Sequence, residues 1–514
     1  MLQAMTAADA AIRGRVQRLE DLTHKLLDGR RLIIASNRGP VQFDLQADGS
    51  VAAQRGSGGM VTALLATAST VPITWVAAAM TEGDRLVVSQ AKGELLEVPG
   101  EDILVKLVTV PNPVYQRHYY VFCNPLLWFI QHFMWNTPRT PNIGRAVYEA
   151  WESGYAPVNQ AIADAIVEEA KLRGQTPVVL LQDYHLYLAP KMIRESLADA
   201  TILHFTHIPW PGPRYWGLLP EFMRRTIHEA MCACDIVGLQ TREDVQNFLH
   251  CAEGMLEGAE VDYHECTVRY RERTVYVRQY PISIDSAGLL EFVQTAAVQQ
   301  HREKLSAYLG EQTIVRVDRS EPSKNIIRGL RSWELLLERH PEFRGKVNFL
   351  QFLVPSRSEL GVYQTYTDEI FELVESINDH YGDVEWQPVR VFYEENYAQA
   401  IAGMTLYDVL LVNPIIDGMN LVSKEGPLVN KGDGVLILSE MTGSHEQLAP
   451  YALSVSPTDL EGTVRALKRA LTMPMEERTQ RATALKQLVE EQDIVHWLEA
   501  QFRDLLSLTT RGSV

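Results

Sequence analysis

The chain has 514 residues, 46% of them apolar and 22% charged, which excludes a disordered or fibrous protein and is too long for one ordinary core. A formal charge of -17 argues against nucleic acid or an anionic membrane as the main partner, because either would repel it, while a local basic pocket stays allowed. Five cysteines, at 123, 232, 234, 251 and 266, form no CxxC pair, so neither a disulfide framework nor a structural zinc site is indicated.

The first 31 residues mix charges with apolar positions at helical spacing and lack the apolar core of a signal peptide. No run reaches the roughly 18 apolar residues of a membrane span, and a cytoplasmic enzyme or binding protein is expected. From Arg31 the pattern becomes short apolar, β-rich runs separated by helical stretches: RLIIAS, ITWVAAAM from Ile73, LVKLVTV from Leu104, PVVLLQDY from Pro177, TILHFTHI from Thr201 and IVGLQT from Ile236. That alternation is the mark of a parallel sheet covered on both faces. Between the first two runs, RGSGGM at 55–60 is a glycine turn that lets backbone approach a ligand, without being a GxGxxG fingerprint. QDYHL at 182–186 and HFTHIPWPGP at 204–213 fall at strand ends, and the histidines there read as structural groups rather than metal ligands because no HExxH or carboxylate set accompanies them.

A second series follows TVYVRQYPISID: TIVRVDR from Thr313, KVNFLQFL from Lys346, VRVFY from Val389, DVLLV, GVLILSE from Gly434 and ALSVSP from Ala452. Two series predict two doubly wound, Rossmann-like α/β domains, 1–285 and 286–475. A charged helical segment at 476–514, interrupted near Asp493, is expected to pack back on the body. In RVDRSEPSKN, Arg319 and Lys324 lie five residues apart on a strand-to-helix turn, where a planar fork and a point charge can converge on a diphosphate. Solvated surface cations are the competing reading. In NPIIDGMNLVSKE a strand ends near Asn413 and a helix is predicted from Met419 to Val429, so amides near Leu421 and Val422 would face an anion and Glu425 a ribose. The alternative makes Asp417 a helix cap and Glu425 a solvent-facing residue.

Taken in order, SNRGP, GSGGM, NPLLW, QDYHL, HIPWP, GLQT, DRSEPSKN, PSR and DGMNLVSKE resemble the trehalose-6-phosphate synthase family, retaining glycosyltransferases of the two-domain GT-B fold, over Arg31 to about Leu508. The resemblance implies an interdomain cleft, with the N-terminal domain binding the acceptor and the C-terminal domain the nucleotide sugar. Arg319 and Lys324 would hold the donor diphosphate with Gly58 and Gly59 close by, Leu421 and Val422 would supply amides, Glu425 the ribose contact, and Asp417 a contact to the donor glucose. His207 matches the histidine beside the donor sugar; Arg319, Lys324, His207 and Asp417 form the implied catalytic set. Arg38, Tyr119, Trp128, Asp183 and Arg357 match acceptor-binding positions. Three positions depart from the family pattern: Gln182 replaces the His of HDYHL, Glu321 an Asp, and Ala78 a second Trp of the acceptor pocket.

The implied reaction moves glucose from a nucleotide-diphosphate glucose to glucose 6-phosphate with retention, giving trehalose 6-phosphate, with no metal or other cofactor. Neither nucleic acid nor membrane is an expected partner, and a homo-oligomer is allowed. Competing readings are the same donor with another acceptor, as in a glucosylglycerol-phosphate synthase or a pseudo-glycosyltransferase, and a catalytically silent sugar-phosphate sensor. Intact Arg319, Lys324, Asp417 and Glu425 speak against silence.

Overall fold

The computed structural model describes residues 7–46, 48–55, 73–98, 103–174, 176–356 and 361–511. The chain divides into two compact units: one runs to Ile282 and resumes at Val495, and the other is Ser283–Ile494. The C-terminal stretch predicted as a single segment is split between them. Helix Met475–Glu491 belongs to the second unit and helix Ile494–Arg511, past its first residue, to the first.

In the first unit the strands are β1 (Leu32–Ser36), β2 (Val41–Leu45), β3 (Val51–Arg55), β4 (Ile73–Ala78), β5 (Leu96–Glu97), β6 (Ile103–Val108), β7 (Val178–Gln182), β8 (Thr201–Phe205), β9 (Ile236–Leu239), β10 (Glu260–Asp262), β11 (Thr267–Tyr270) and β12 (Arg273–Gln279). Ten of them form one sheet in the order β10-β11-β12-β9-β8-β7-β1-β4-β6-β5, and β2 and β3 pair separately. Its core is parallel: β1 pairs with both β4 and β7, and the sheet grows outward from that junction in opposite directions. The strands β1, β4, β7, β8 and β9 are buried along their whole length, which is why they read as continuous apolar runs rather than alternating ones.

The second unit holds β13 (Gln312–Arg319), β14 (Val347–Val354), β15 (Val389–Tyr393), β16 (Val409–Val412), β17 (Val435–Ser439) and β18 (Leu453–Val455), all parallel, in the order β15-β14-β13-β16-β17-β18. Successive side chains of a strand point to opposite faces, and the two cores follow that rule. Ile314, Phe349, Leu411 and Ile437 join Trp333, Leu336, Ile370 and Leu467 in one cluster, while their chain neighbours Val315, Leu350, Leu410 and Leu436 join Leu289, Met404, Leu428 and Leu485 in the other. Each fully buried aliphatic or aromatic side chain contributes about 1.5–3 kcal/mol, so this double-sided burial is what makes the strand ends rigid platforms.

In an open parallel sheet the crevice for a ligand lies beyond the carboxyl ends of the strands where the order reverses. The reversal falls between β1 and β7 in the first unit and between β13 and β16 in the second. Among the described residues no helix is long and apolar enough to cross a membrane.

Helix Val422–Val429 starts three residues later than predicted, after a turn at Asn420, whose φ is 65°. It presses on β16 through Gly426, where an added Cβ would lie 2.3 Å from Leu410 Cδ2. Gly426→Ala should therefore destabilise the second unit by about 1–3 kcal/mol through overpacking. A thermal denaturation midpoint equal to wild type would contradict that contact.

Candidate active site

Arg319, Lys324 and Asp417 gather at the sheet reversal of the second unit. Arg319 ends β13, Lys324 closes a short 3₁₀ turn at Pro322–Lys324, and Asp417 lies in the loop that leaves β16. The loops are stitched together by Ile415 N–H donating to Ser323 O at 2.7 Å, and by the Asp417 backbone, which bonds Met441 O at 3.1 Å and accepts from Gly443 N at 3.0 Å. Lys324 is buried except for a small part of its side chain, and its ammonium pairs with Asp417 Oδ2. Asn420 Nδ2 donates to the same oxygen at 3.1 Å. Burial pulls the Lys324 ammonium down, but Asp417 and then Asp318 outweigh it and hold the group above its ordinary value. The side chain is charged at every working pH.

Arg319 is half-exposed and its Nη1 lies 2.8 Å from Oε1 of fully buried Glu321, which also accepts from Ser356 Oγ at 2.7 Å. Arg319 also depresses the Lys324 ammonium electrostatically, so the two cations share one field. Both expected diphosphate cations are thus held by carboxylates, Arg319 by Glu321 of its own loop and Lys324 by Asp417 of the loop after β16.

Leu421 and Val422 open the helix; Asn420 Oδ1 caps the first turn by accepting from Ser423 N at 3.2 Å, and the N-cap residue Leu421 makes no side-chain cap of its own. Glu425, partly exposed, accepts from Tyr397 Oη at 3.1 Å. The protein around it pushes its carboxyl up to about 7, Tyr397 pulling the other way. Lys424 next to it is buried, and its ammonium is pulled down to about 7 by desolvation.

In the first unit, Arg38 follows β1 and is exposed, and its carbonyl accepts from Ser36 Oγ at 2.6 Å. Asp183 follows β7 at φ 73° and ψ 170°, a region essentially reserved for glycine, which costs of order 1–3 kcal/mol and is sustained only where the surroundings impose it. Its Oδ1 accepts from His207 N at 3.1 Å, and its own N–H donates to Phe205 O at 2.7 Å, so the strain fixes two strand ends together. The His207 ring packs edge-on to Phe205, and Nε2 lies 2.9 Å from Gln182 Oε1. Burial drives the His207 imidazole down to about 3, so it is neutral above pH 5, with Nε2–H donating to the amide oxygen.

Tyr119 stacks between Tyr115 and His185, at centroid distances of 5.7 and 5.9 Å, and Tyr115 shares a hydrogen bond with Asn37. Trp128 sits apart from that stack, buried and stacked at 4.0 Å on His132. Ala78 closes β4 and packs with Val110, Tyr115 and Val158. The structure therefore brings together Lys324 with Asp417, and Asp183 with His207. Arg38 and Trp128 have other partners among the described residues, Ser36 Oγ at the Arg38 carbonyl and the His132 ring on Trp128. Gly58, Gly59 and Arg357 lie outside the described residues. Sequence reasoning missed Arg316, the partner of the Lys324 backbone, and Tyr397, the partner of Glu425. It noted Gln182 without finding that this residue touches His207. Among the described residues no group of histidine, cysteine and carboxylate side chains is clustered to hold a metal ion.

Two α/β units built on sheets with parallel cores, each with a reversal of strand order, constitute the GT-B fold. The sequence pattern described as Glycosyltransferase family 20 matches residues 30–507, and the chain belongs to that family. It is 30% identical over 473 residues to alpha,alpha-trehalose-phosphate synthase [UDP-forming] A of Dictyostelium discoideum, covering 91% of this chain and only 61% of that relative's length. A validamine 7-phosphate valienyltransferase of Streptomyces hygroscopicus subsp. jinggangensis is 28% identical, covering 93% of this chain and 95% of that protein. An alpha,alpha-trehalose-phosphate synthase (UDP-forming) from Burkholderia xenovorans, solved in complex with glucose-6-phosphate, superposes with a TM-score of 0.77 at 26% identity, covering 92% of this chain and 99% of that one.

The raised carboxyl of Glu425 has a signed consequence. Between its ordinary range near 4.5 and about 7 the folded protein binds more protons than the unfolded chain at this site, so the residue's contribution to stability falls as pH rises through that window. In the ribose role that the resemblance implies for Glu425, a hydroxyl would donate to the ionised form, so affinity for a nucleotide-diphosphate glucose, with UDP-glucose as probe, should rise as pH increases through about 7, and Glu425→Gln should flatten that rise. Titration calorimetry from pH 5.5 to 8.5 decides the matter; a wild-type affinity independent of pH would remove the ribose role.

Proposed function

We propose that the chain is a retaining hexosyltransferase that moves glucose from a nucleotide-diphosphate glucose to glucose 6-phosphate, forming trehalose 6-phosphate. The observation that carries this reading is the buried Lys324–Asp417 pair beside Arg319 at the sheet reversal of the second unit. A diphosphate arriving there meets a point charge, a guanidinium fork and the amides of Leu421 and Val422. As Lys324 turns to the diphosphate, Asp417 is released to accept hydroxyls of the donor glucose. Glu425 receives the ribose. The printed names of the relatives, UDP-forming among them, support UDP-glucose as the donor.

Chemistry then consists of stabilising a departing charge. The bond between the anomeric carbon and the diphosphate oxygen breaks and its electron pair leaves with the diphosphate, where Lys324 and Arg319 neutralise it. The acceptor hydroxyl adds to the oxocarbenium-like carbon from the face just vacated, and its proton passes to the leaving diphosphate, so configuration is retained. His207, neutral at working pH, serves as a hydrogen-bonding group beside the sugar and not as a proton source. The first unit offers the acceptor Asp183 for its hydroxyls, Tyr119 and Trp128 as walls and Arg38 for its phosphate, while Arg357 keeps the phosphate role that the sequence resemblance implies. A second reading keeps the donor and changes the acceptor to a glycerol or cyclitol phosphate. The valienyltransferase relative and the small Ala78 favour it.

Lys324→Ala and Arg319→Ala should each lower kcat by roughly 100-fold, about 3 kcal/mol of lost leaving-group stabilisation. Near-normal turnover in a variant that keeps its circular dichroism would withdraw the diphosphate assignment.

Glucose 6-phosphate is expected to be preferred over glycerol 3-phosphate, with unphosphorylated glucose a very poor acceptor. Phosphorus NMR of products from UDP-, GDP- and ADP-glucose with these three acceptors, followed by kcat/KM for each, tests both ends of the reaction. A clear preference for glycerol 3-phosphate would leave the donor chemistry standing and discard the trehalose assignment.

A further inference from the structure

Arg316 lies inside β13, between core residues, and is completely buried. A guanidinium in that position costs several kcal/mol unless its donors are answered. Here Nε donates to Asp318 Oδ2 at 2.8 Å, Nη1 to Asn413 Oδ1 at 2.7 Å, and Nη2 to the backbone carbonyl of Lys324. The three acceptors come from its own strand, from the end of β16 and from the diphosphate loop.

The surroundings are shaped for this fork. Gly329 faces it, and a Cβ there would stand 2.5 Å from Nη1 and 3.4 Å from Asn413 Oδ1. Asn325 takes a left-handed turn at φ 60° and donates from Nδ2 to Asn413 O at 2.8 Å and Pro457 O at 2.7 Å, fixing the residue after Lys324 to the same strand end. Asp318, oriented by Arg316, is the second carboxylate that supports the Lys324 charge. A lysine at 316 could not span these acceptors, because its donors radiate from one nitrogen whereas a guanidinium presents them along a plane.

We propose that Arg316 is a positioning residue for glycosyl transfer: from inside the sheet it clamps the Lys324 backbone to the end of β16, setting the loop cation where the departing diphosphate develops its charge. The inference rests on the reading of Lys324 as a diphosphate cation. Arg316 itself, enclosed in the core, is not assigned a substrate contact.

The test is a double-mutant cycle of Arg316→Lys and Lys324→Ala, assayed by UDP release from UDP-glucose with glucose 6-phosphate. Arg316→Lys should lower kcat by about 10- to 100-fold, with KM for UDP-glucose changed by less than about threefold, because the lost interaction acts in the transition state. In the Lys324→Ala background the same substitution should lower kcat by less than about threefold, since the group being positioned is gone. Gly329→Ala, which keeps the guanidinium and crowds it, should reproduce the pattern and carries the cycle if Arg316→Lys does not fold. Equal losses in both backgrounds would make Arg316 merely structural and overturn the proposal, as would wild-type kcat in the folded variants. Near-normal turnover of Lys324→Ala alone would instead strike the diphosphate reading, and this inference with it, so the two failures are distinguishable.

Discussion

A cation removed from water must be answered by charge and by hydrogen bonds, and the second unit is organised around that constraint at Lys324. Its ammonium sits among Asp417, Asp318, Arg319 and Glu321, and neighbouring pairs alternate in sign: Arg316 with Asp318, Lys324 with Asp417, Arg319 with Glu321. The array is neutral as a whole, so it can exist in a low-dielectric interior without a bound anion. An arriving diphosphate cannot simply add to it. In the proposed reading, one or both of Arg319 and Lys324 would exchange a carboxylate for phosphate oxygens. For Arg319 the exchange would leave the buried Glu321 carboxylate without its cation, and for Lys324 it would free Asp417 to take up hydroxyl donors.

The pairing also explains the backbone around it. Loops after β13 and β16 would be free to separate if only side chains joined them. Ile415 N–H donating to Ser323 O joins them backbone to backbone, and the side chains of Asn325 and Arg316 reach the main-chain carbonyls of Asn413 and Lys324. The sheet supplies the fixed ends, because β13 and β16 are neighbours with apolar helices on both faces. Preorganised charge of this kind requires little rearrangement when the leaving group forms, which is the condition under which electrostatic stabilisation is large.

Much of this was legible in the sequence, for a physical reason. Parallel strands covered on both faces need apolar residues at every position, so β1, β4, β7, β8, β13, β14, β16 and β17 announce themselves as runs. The hairpin strands β2, β3, β10 and β11 are short and partly exposed, carry mixed residues, and were not predicted. The segment Arg117–Trp128, which contains the NPLLW motif, winds as a wide π-type helix with Pro125 inside, a geometry that no apolar periodicity encodes. Arg319 and Lys324 were visible because their loop follows a strand, whereas Arg316 sits within the strand and was absorbed into it. The available signal was a charged residue at a position whose neighbours are all core, with Asp318 two residues on and a glycine at 329.

The first unit meets its constraint differently. There the site is tied down by strain and neutral hydrogen bonds. Asp183 holds a backbone conformation that a glycine would adopt freely, and His207 is kept uncharged by burial against Gln182. A neutral imidazole next to a carboxylate suits a sugar, whose hydroxyls both donate and accept, and is ill suited to an anion. The phosphate of the proposed acceptor must therefore be met elsewhere, by groups such as exposed Arg38, and the strained Asp183 turn is left to recognise the uncharged part. Replacing the family histidine by Gln182 fits the same division, because an amide can orient His207 without adding a second ionisable ring.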